Sequence, residues 1–168
     1  MVKAYNVGAD KTHIAVVAYS TRAVVEIKFN TLTGSSVTEE GYKRIIDRIR
    51  FQRGFTFIDK ALLLADRNIF TTQDGMREGV PKIAIVITDG KQTTDRGSYI
   101  ELSVAARGLK NKNVKVFSLG IGTRIDEKQL NDIASSPDNV FTAANFSYWS
   151  PAAKSIVQSS CSGMLRYL

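Results

Sequence analysis

KIAIVITDG, residues 82–90, is the stretch that decides the fold class of this chain. After Lys82, an unbroken run of Ile, Ala and Val leads into Thr88-Asp89-Gly90. A short apolar run without polar alternation is typical of a strand buried on both faces, so we expect a central strand of a parallel sheet. Ligand sites of α/β folds lie where such strands end, which makes Asp89 a candidate site residue. Because Asp-Gly is also common in turns, the alternative interpretation is that Asp89 belongs to a turn without a binding role.

Strand and helix patterns alternate on both sides of this stretch. In chain order we predict a helical tail at 1–7, strands at 12–19 and 23–29, helices at 38–49 and 57–70, the strand at 82–88, a helix at 98–109, a strand at 114–119, a helix at 126–134, a strand at 139–142 and a helix at 150–165. Capping boxes are predicted at Ser36/Glu39 and Asp126/Gln129, and Ser150 before Pro151 is a predicted N-cap. The order predicts a doubly wound α/β fold: a mostly parallel sheet, helices on both faces and an antiparallel edge hairpin.

Length and composition fit one soluble domain covering residues 1–168. The hydrophobic share of 43% and the charged share of 23% are ordinary for globular proteins. No apolar run reaches the roughly 20 residues that cross a bilayer, so we expect no membrane insertion by this segment. The first residues, MVKAYNVG, contain no apolar core of a secretory signal.

The net charge of +7 raises the question of an acidic partner or nucleic acid. The main basic cluster, between Lys43 and Arg53, alternates with apolar residues at helical spacing, which favours a solvated helix face. No nucleic-acid-binding motif is present, so we expect no nucleic-acid partner.

The sequence contains little that supports an enzymatic function, and we predict no catalytic residues. The single histidine, His13, lies in a predicted strand, and no Gly-x-Ser-x-Gly elbow is present for it to serve. Gly120-Ile-Gly122 follows a strand, but Ile125 replaces the third glycine of a dinucleotide fingerprint, which disfavours a nucleotide-dependent enzyme of flavodoxin-like fold.

Binding of a hard cation is better supported by the residues. Asp89 supplies a carboxylate, and Thr56 supplies a hydroxyl on a loop beside Gly54, just before a helix. Mg²⁺ takes six oxygens, of which one or two are usually protein carboxylates. One aspartate and one hydroxyl do not neutralise the two positive charges of the ion, so the ion would bind an acidic group of a partner as a further ligand.

At these residues the chain resembles the von Willebrand factor type A domain, the family of matrilin, collagen and integrin inserted modules. The resemblance rests on five pieces in order: IAVVAYSTRAVVEIKF, RGFTFIDKALLLA, KIAIVITDG, VKVFSLGIG and LNDIASSPDNVFTAANF. It implies an extracellular adhesion module that binds a protein ligand, such as collagen, through a metal-ion-dependent adhesion site. Thr56 and Asp89 match two metal ligands of that site, which holds Mg²⁺ (or Mn²⁺ or Ca²⁺) and takes an acidic side chain of the partner.

The family's Asp-x-Ser-x-Ser element is absent from this sequence. The resemblance places that element before residue 1, together with the family's first strand, so we interpret the chain as an N-terminally incomplete domain. Because three of five metal ligands would be missing, we predict weak binding of Mg²⁺ or none.

Two further residues bear on the compartment. Asn145-Phe146-Ser147 is an N-glycosylation sequon, which suits a secreted protein. The resemblance implies that Cys161 pairs with a cysteine in the missing segment. The alternative interpretation is that Cys161 is an inert thiol on a helix. We therefore expect an extracellular, non-enzymatic binding module; the alternative is an intracellular scaffold or regulatory subunit, as in chelatase- or copine-like assemblies.

Overall fold

Five strands and six α-helices occupy residues 2–162, the part of the chain that the computed structural model describes, without the side chains of residues 149 and 160–162. They are β1 (Val16–Tyr19), β2 (Ala23–Ile27), α1 (Glu39–Ile46), α2 (Ile58–Asn68), β3 (Lys82–Thr88), α3 (Leu102–Ala105), α4 (Arg107–Asn111), β4 (Val114–Ile121), α5 (Glu127–Ile133), β5 (Val140–Ala143) and α6 (Trp149–Ser162). The chain divides into two compact units, Met1–Gly79 and Val80–Leu168.

The first unit is built on the predicted antiparallel hairpin. Strands β1 and β2 pair from Tyr19 opposite Ala23 to Val16 opposite Ile27, which confirms the hairpin. Both strands are shorter than the sequence predicted. Helix α2 packs against both of them, and a second cluster buries Ile27 with Val37 and Tyr42 of the α1 region.

Helix α1, Glu39–Ile46, begins one residue later and ends three residues earlier than the predicted helix at 38–49. Its N-cap is Thr38, whose side chain accepts the backbone N–H of Gly41 at 3.0 Å. The predicted Ser36/Glu39 box is wrong because the Ser36 hydroxyl bonds within its own 3₁₀ turn, donating to Thr33 O at 2.6 Å. The predicted N-terminal helix is also wrong, since only residues 2–4 form a single 3₁₀ turn.

The second unit contains a parallel sheet in the order β3-β4-β5. The prediction that β3 is the central strand is wrong for the residues described, because β4 has a partner on each edge and β3 has one. Burial agrees: seven of the eight residues of β4 are buried, whereas most of β3 is half-buried. An apolar run indicates that both faces of a strand can be buried. It does not indicate how many neighbouring strands pair with it, because that depends on the other strands of the sheet.

Helices cover both faces of this sheet, as a doubly wound fold requires. On one face, Phe117 and Leu119 pack with Ile156 of α6. On the other, Ser118 donates its hydroxyl to Leu130 O of α5 at 2.9 Å. This alternation along one strand confirms the α/β fold class.

Several helix boundaries in the second unit differ from the prediction. The helix expected at 98–109 is two short helices, α3 and α4, separated at Ala106. Asp126 caps α5 as predicted, but the Gln129 side chain bonds to the loop after β3 instead of completing a capping box. Ser150 lies inside α6 and does not cap it, and the predicted end of that helix near Leu165 lies outside the described residues.

Candidate functional site

Thr56, the predicted hydroxyl ligand, lies at the entrance to α2 in the first unit. The residues on either side of it are bonded to the turn between β1 and β2. Phe55 donates its backbone N–H to Thr21 Oγ1 at 3.0 Å, and Phe57 donates its own to Ser20 O at 3.2 Å. Thr56 itself is half-buried. The backbone at Thr56 is therefore fixed by the hairpin on both sides.

Gly54 makes this attachment possible. Its φ angle is 147°, a conformation that residues with a side chain rarely adopt. A Cβ atom at this position would lie 2.1 Å from Thr21 Oγ1 and 3.2 Å from the Thr21 backbone nitrogen. Glycine is thus required both by the backbone angle and by the close approach to the hairpin turn.

Asp59 is a buried carboxylate close to Thr56 in the chain that the sequence reasoning did not single out. It lies in the first turn of α2, three residues after Thr56, and is only 2% exposed. A buried carboxylate near a helix N-terminus is favoured by the positive end of the helix dipole. The spacing from Thr56 was a signal in the sequence, but an isolated aspartate on a helix ordinarily faces solvent.

Asp89 lies in the second unit at the carboxyl end of β3, as predicted. The residue before it, Thr88, is buried, and its hydroxyl both donates to Gly90 O at 2.9 Å and accepts the Gly90 N–H at 3.3 Å. These bonds form a tight turn that leaves Asp89 exposed. The turn and the site interpretations of Asp-Gly are therefore compatible, since the turn is what presents the carboxylate.

The loop after Asp89 is attached to the start of α5. The backbone N–H of Gln92 donates to Gln129 Oε1 at 2.8 Å, and Lys91 Nζ lies 3.9 Å from Asp126 Oδ2. The start of α5 therefore helps to fix the loop that follows Asp89.

The donor set for a metal is small in the residues described. Thr56 offers one hydroxyl in the first unit, and Asp89 offers one carboxylate in the second. Between residues 2 and 162, no group of three or more His, Cys, Asp or Glu side chains is arranged to hold a metal ion. These two residues alone do not fit a tightly bound Mg²⁺, which needs six oxygens.

His13 is a structural residue placed just before β1. Its Nδ1 lies 3.0 Å from Phe29 O, and its Nε2 lies 2.9 Å from Ala9 O. With both ring nitrogens against backbone carbonyls, the imidazole connects two chain segments. These contacts give His13 a structural role in the first unit.

Asn145 is exposed in the loop after β5, and its Oδ1 accepts the N–H of Ser147 at 2.9 Å. The sequon is therefore on the surface of the second unit. Cys161 falls within the residue range of α6, but its side chain lies outside the part of the chain that the structure describes, so its pairing stays a prediction. In residues 2–162 no helix is both long and apolar enough to cross a membrane.

The segment Arg48–Phe55, which we call the arginine loop, follows α1. Because α1 ends at Ile46, the expectation of a solvated helix face is wrong for Arg48, and Arg50 and Arg53 lie past the predicted helix end at residue 49 as well. All three are exposed, and Phe51 between them is 87% exposed. The alternation of arginine and phenylalanine was the signal in the sequence, but helical spacing outweighed it.

Comparison with known proteins identifies the family. Residues 1–155 match the sequence profile of the von Willebrand factor type A domain. The chain belongs to this family. The von Willebrand factor A match crosses the boundary between the two compact units at residues 79 and 80.

Relatives of this von Willebrand factor A chain include structural proteins of extracellular matrices. Cuticlin-6 of Caenorhabditis elegans is 29% identical over 93% of this chain, which corresponds to 25% of cuticlin-6. The collagen alpha-1(XII) chain of Notophthalmus viridescens is 27% identical over 98% of this chain and 17% of its own length. The chain thus spans a quarter or less of these two relatives.

Among solved structures, proximal thread matrix protein 1 from the mussel byssus is similar in fold. It superimposes with a TM-score of 0.79 at 27% identity, covering 92% of this chain and 36% of the mussel protein. That structure has zinc in its metal-ion-dependent adhesion site motif. The structural similarity agrees with the α/β fold described above and with the family that the sequence profile identifies.

Proposed function

We propose that this von Willebrand factor A chain is a protein-binding adhesion module of an extracellular matrix protein and not an enzyme. The observation that carries the proposal is the family match over residues 1–155, with a cuticlin and a collagen among the relatives. Because the match crosses both compact units, we also propose that residues 1–168 form one domain. A collagen is the first ligand to test, since a collagen chain is itself among the relatives and the family resemblance implies a matrix ligand.

We propose Thr56 and Asp89 as the metal-site residues of this module, with Mg²⁺, Mn²⁺ or Ca²⁺ as the ion. A bound ion would accept a carboxylate of the protein ligand. In this chain the donors are one hydroxyl and one carboxylate, so we expect the ion to be held weakly or not at all. Ligand binding by this chain should then depend on its own side chains.

Metal affinity is tested by titrating the purified chain with Mg²⁺ in a calorimeter, beside the Asp89→Ala variant. We expect weak heats that do not differ between the two proteins at concentrations up to about 1 mM. A site with a dissociation constant near about 1 µM that disappears in Asp89→Ala would contradict the proposal.

The binding function is tested by coating fibrillar collagen and measuring retention of the chain, with serum albumin as the control surface. Saturable retention on collagen and none on albumin is the expected result. Equal retention on both surfaces would contradict adhesion specificity.

The compartment is proposed as extracellular. The relatives are matrix proteins, and the sequon at Asn145 is exposed, as glycosylation requires. Cys161 remains proposed as a cysteine that pairs outside residues 1–168.

A further inference from the structure

The arginine loop combines unpaired positive charge with exposed aromatic surface in the first unit. Between residues 43 and 60, the exposed charged side chains are six basic and one acidic. The acidic one, Asp47, is already paired with Lys43 at 2.7 Å. In the described residues, Arg48, Arg50 and Arg53 form no ion pair, so their guanidinium groups are available to a partner.

The loop is held in place before any partner arrives. At its start, the Arg48 N–H donates to Ile45 O at 3.0 Å, continuing from the end of α1. In its middle, Ser20 Oγ lies 3.5 Å from Gln52 Oε1. At its end, Phe55 is bonded to the hairpin turn through Thr21. A surface that is already ordered loses less conformational entropy when it binds.

The hairpin turn adds a fourth cation to the same surface. Arg22 follows Thr21 directly, is exposed, and forms no ion pair in the part of the chain described. Thr21 contacts Gly54 and Phe55, so Arg22 directly follows the residue that holds the end of the arginine loop. The positive surface therefore extends from the loop onto the adjacent turn.

The exposed phenylalanines of the arginine loop indicate which class of anionic partner would bind to this surface. Phe51 is 87% exposed and Phe55 is 44% exposed, which is a large apolar area for a loop of this size. The Phe55 ring also contacts the Phe57 ring edge-on at a centroid distance of 6.3 Å, so packing against Phe57 holds part of this apolar surface in place. Aromatic residues and arginine are the residues enriched at the centres of protein interfaces.

We propose that the arginine loop, with Arg22, is a docking surface for an acidic protein segment that also carries apolar side chains. Guanidinium groups bind carboxylates through paired N–H donors, and Phe51 covers apolar residues between those carboxylates. A sulfated polysaccharide would use the arginines but offers little apolar area to the phenylalanines. This surface goes beyond the proposed metal site, since its charges need no ion.

The test compares two variants with the same charge change. Arg48→Glu/Arg50→Glu/Arg53→Glu alters the loop, whereas Arg67→Glu/Arg107→Glu/Lys154→Glu alters exposed cations elsewhere. Each variant has a formal net charge of +1 instead of +7. Circular dichroism and the thermal midpoint of each variant establish that it is folded before binding is measured.

The probe is a fluorescein-labelled peptide of about ten residues that alternates glutamate with leucine, measured by anisotropy in EDTA. We expect the loop variant to weaken the dissociation constant by about tenfold or more and the control variant by less than about twofold. Phe51→Ser should weaken it by about threefold through lost apolar contact.

Heparin oligosaccharide and phosphatidylserine vesicles are measured beside the peptide. A preference for the peptide over both, with the variant pattern above, supports the proposal. The proposal is overturned by equal losses in the two charge variants, by absence of saturable peptide binding, or by tighter binding of heparin or vesicles that is insensitive to Phe51→Ser. Because the peptide experiment contains no metal and no collagen, its failure leaves the collagen experiment as an independent test.

Discussion

Gly54→Ala is the substitution whose effect the structure predicts in most detail. The glycine has a φ angle of 147°, and a non-glycine residue in such a region costs about 1–3 kcal/mol. The new Cβ would also lie 2.1 Å from Thr21 Oγ1, so the hydroxyl must move. Moving it breaks the bond from the Phe55 N–H, which adds about 1 kcal/mol. We expect the free energy of unfolding to fall by about 2–4 kcal/mol.

Gly97→Ala is the matched control for this prediction. Gly97 also has a positive φ angle, 113°, but a Cβ added there would have no neighbouring atom within 4 Å. Its cost should therefore contain the backbone cost alone, about 1–3 kcal/mol, without the additional loss from the broken hydrogen bond. The difference between the two glycines measures the close approach of the arginine loop to the hairpin turn.

Urea denaturation followed by fluorescence measures both free energies of unfolding. Adding Thr21→Ala to Gly54→Ala should recover part of the loss, because it removes the atom nearest to the new methyl group. The reasoning would be refuted if Gly54→Ala cost no more than Gly97→Ala, since the loop would then not be held against the turn.

Three other predictions concern single contacts. Tyr42→Phe should lower the free energy of unfolding by about 1–2 kcal/mol, because the buried hydroxyl accepts the Ile14 N–H at 3.1 Å; denaturation midpoints check this, and an unchanged midpoint would contradict it. The hydrogen bond from Lys28 holds the pKa of Asp74 below its usual value, so this carboxylate stabilises the fold above its unfolded pKa and loses that effect as the pH falls through its folded pKa. Asp74→Asn should therefore flatten the acid side of the stability profile, and an identical slope in the variant would speak against the pair. Expression through a secretory pathway should add a glycan at Asn145, seen as a mass lost on treatment with an N-glycosidase and absent from Asn145→Gln.

The apolar and alternating patterns predicted the strands of this chain well. The strand at 82–88 and the hairpin lie where the sequence predicted them, although β1 and β2 are shorter than predicted, because a short apolar run and a strand's side-chain alternation are both local properties of the sequence. Which strand lies at the centre of the sheet could not be predicted in this way. Edge pairing is set by distant segments, so β3 was taken for a central strand although β4 holds that position.

Helix ends were harder to predict than helix positions. The pattern through Ile49 continued a helical face, yet α1 ends at Ile46, and the N–H groups of Arg48 and Ile49 bond three residues back in tight turns. That early end places Arg48 in the same loop as Arg50 and Arg53. A local pattern cannot register this, because Gln52 and Phe55 are fixed by contacts with a hairpin far earlier in the chain.

The site residues were available from the sequence only in part. Asp89 follows from its place at the end of a strand, and Thr56 became a candidate through its loop position and the family resemblance. Burial of Asp59 and the bonds on either side of Thr56 depend on the packing of α2 against β1 and β2. Neither is encoded in the spacing of the residues themselves.

Binding of the chain to immobilised fibrillar collagen, recorded by surface plasmon resonance in Mg²⁺ and again in EDTA, tests the central claim most directly. The claim is that this chain is a protein-binding matrix module and that Thr56 and Asp89 do not control its affinity for the ligand. The predicted result is saturable binding that is the same in both buffers and is unchanged by Asp89→Ala. Absence of saturable binding would contradict the adhesion function, and binding that requires Mg²⁺ and Asp89 would contradict the account of the metal site.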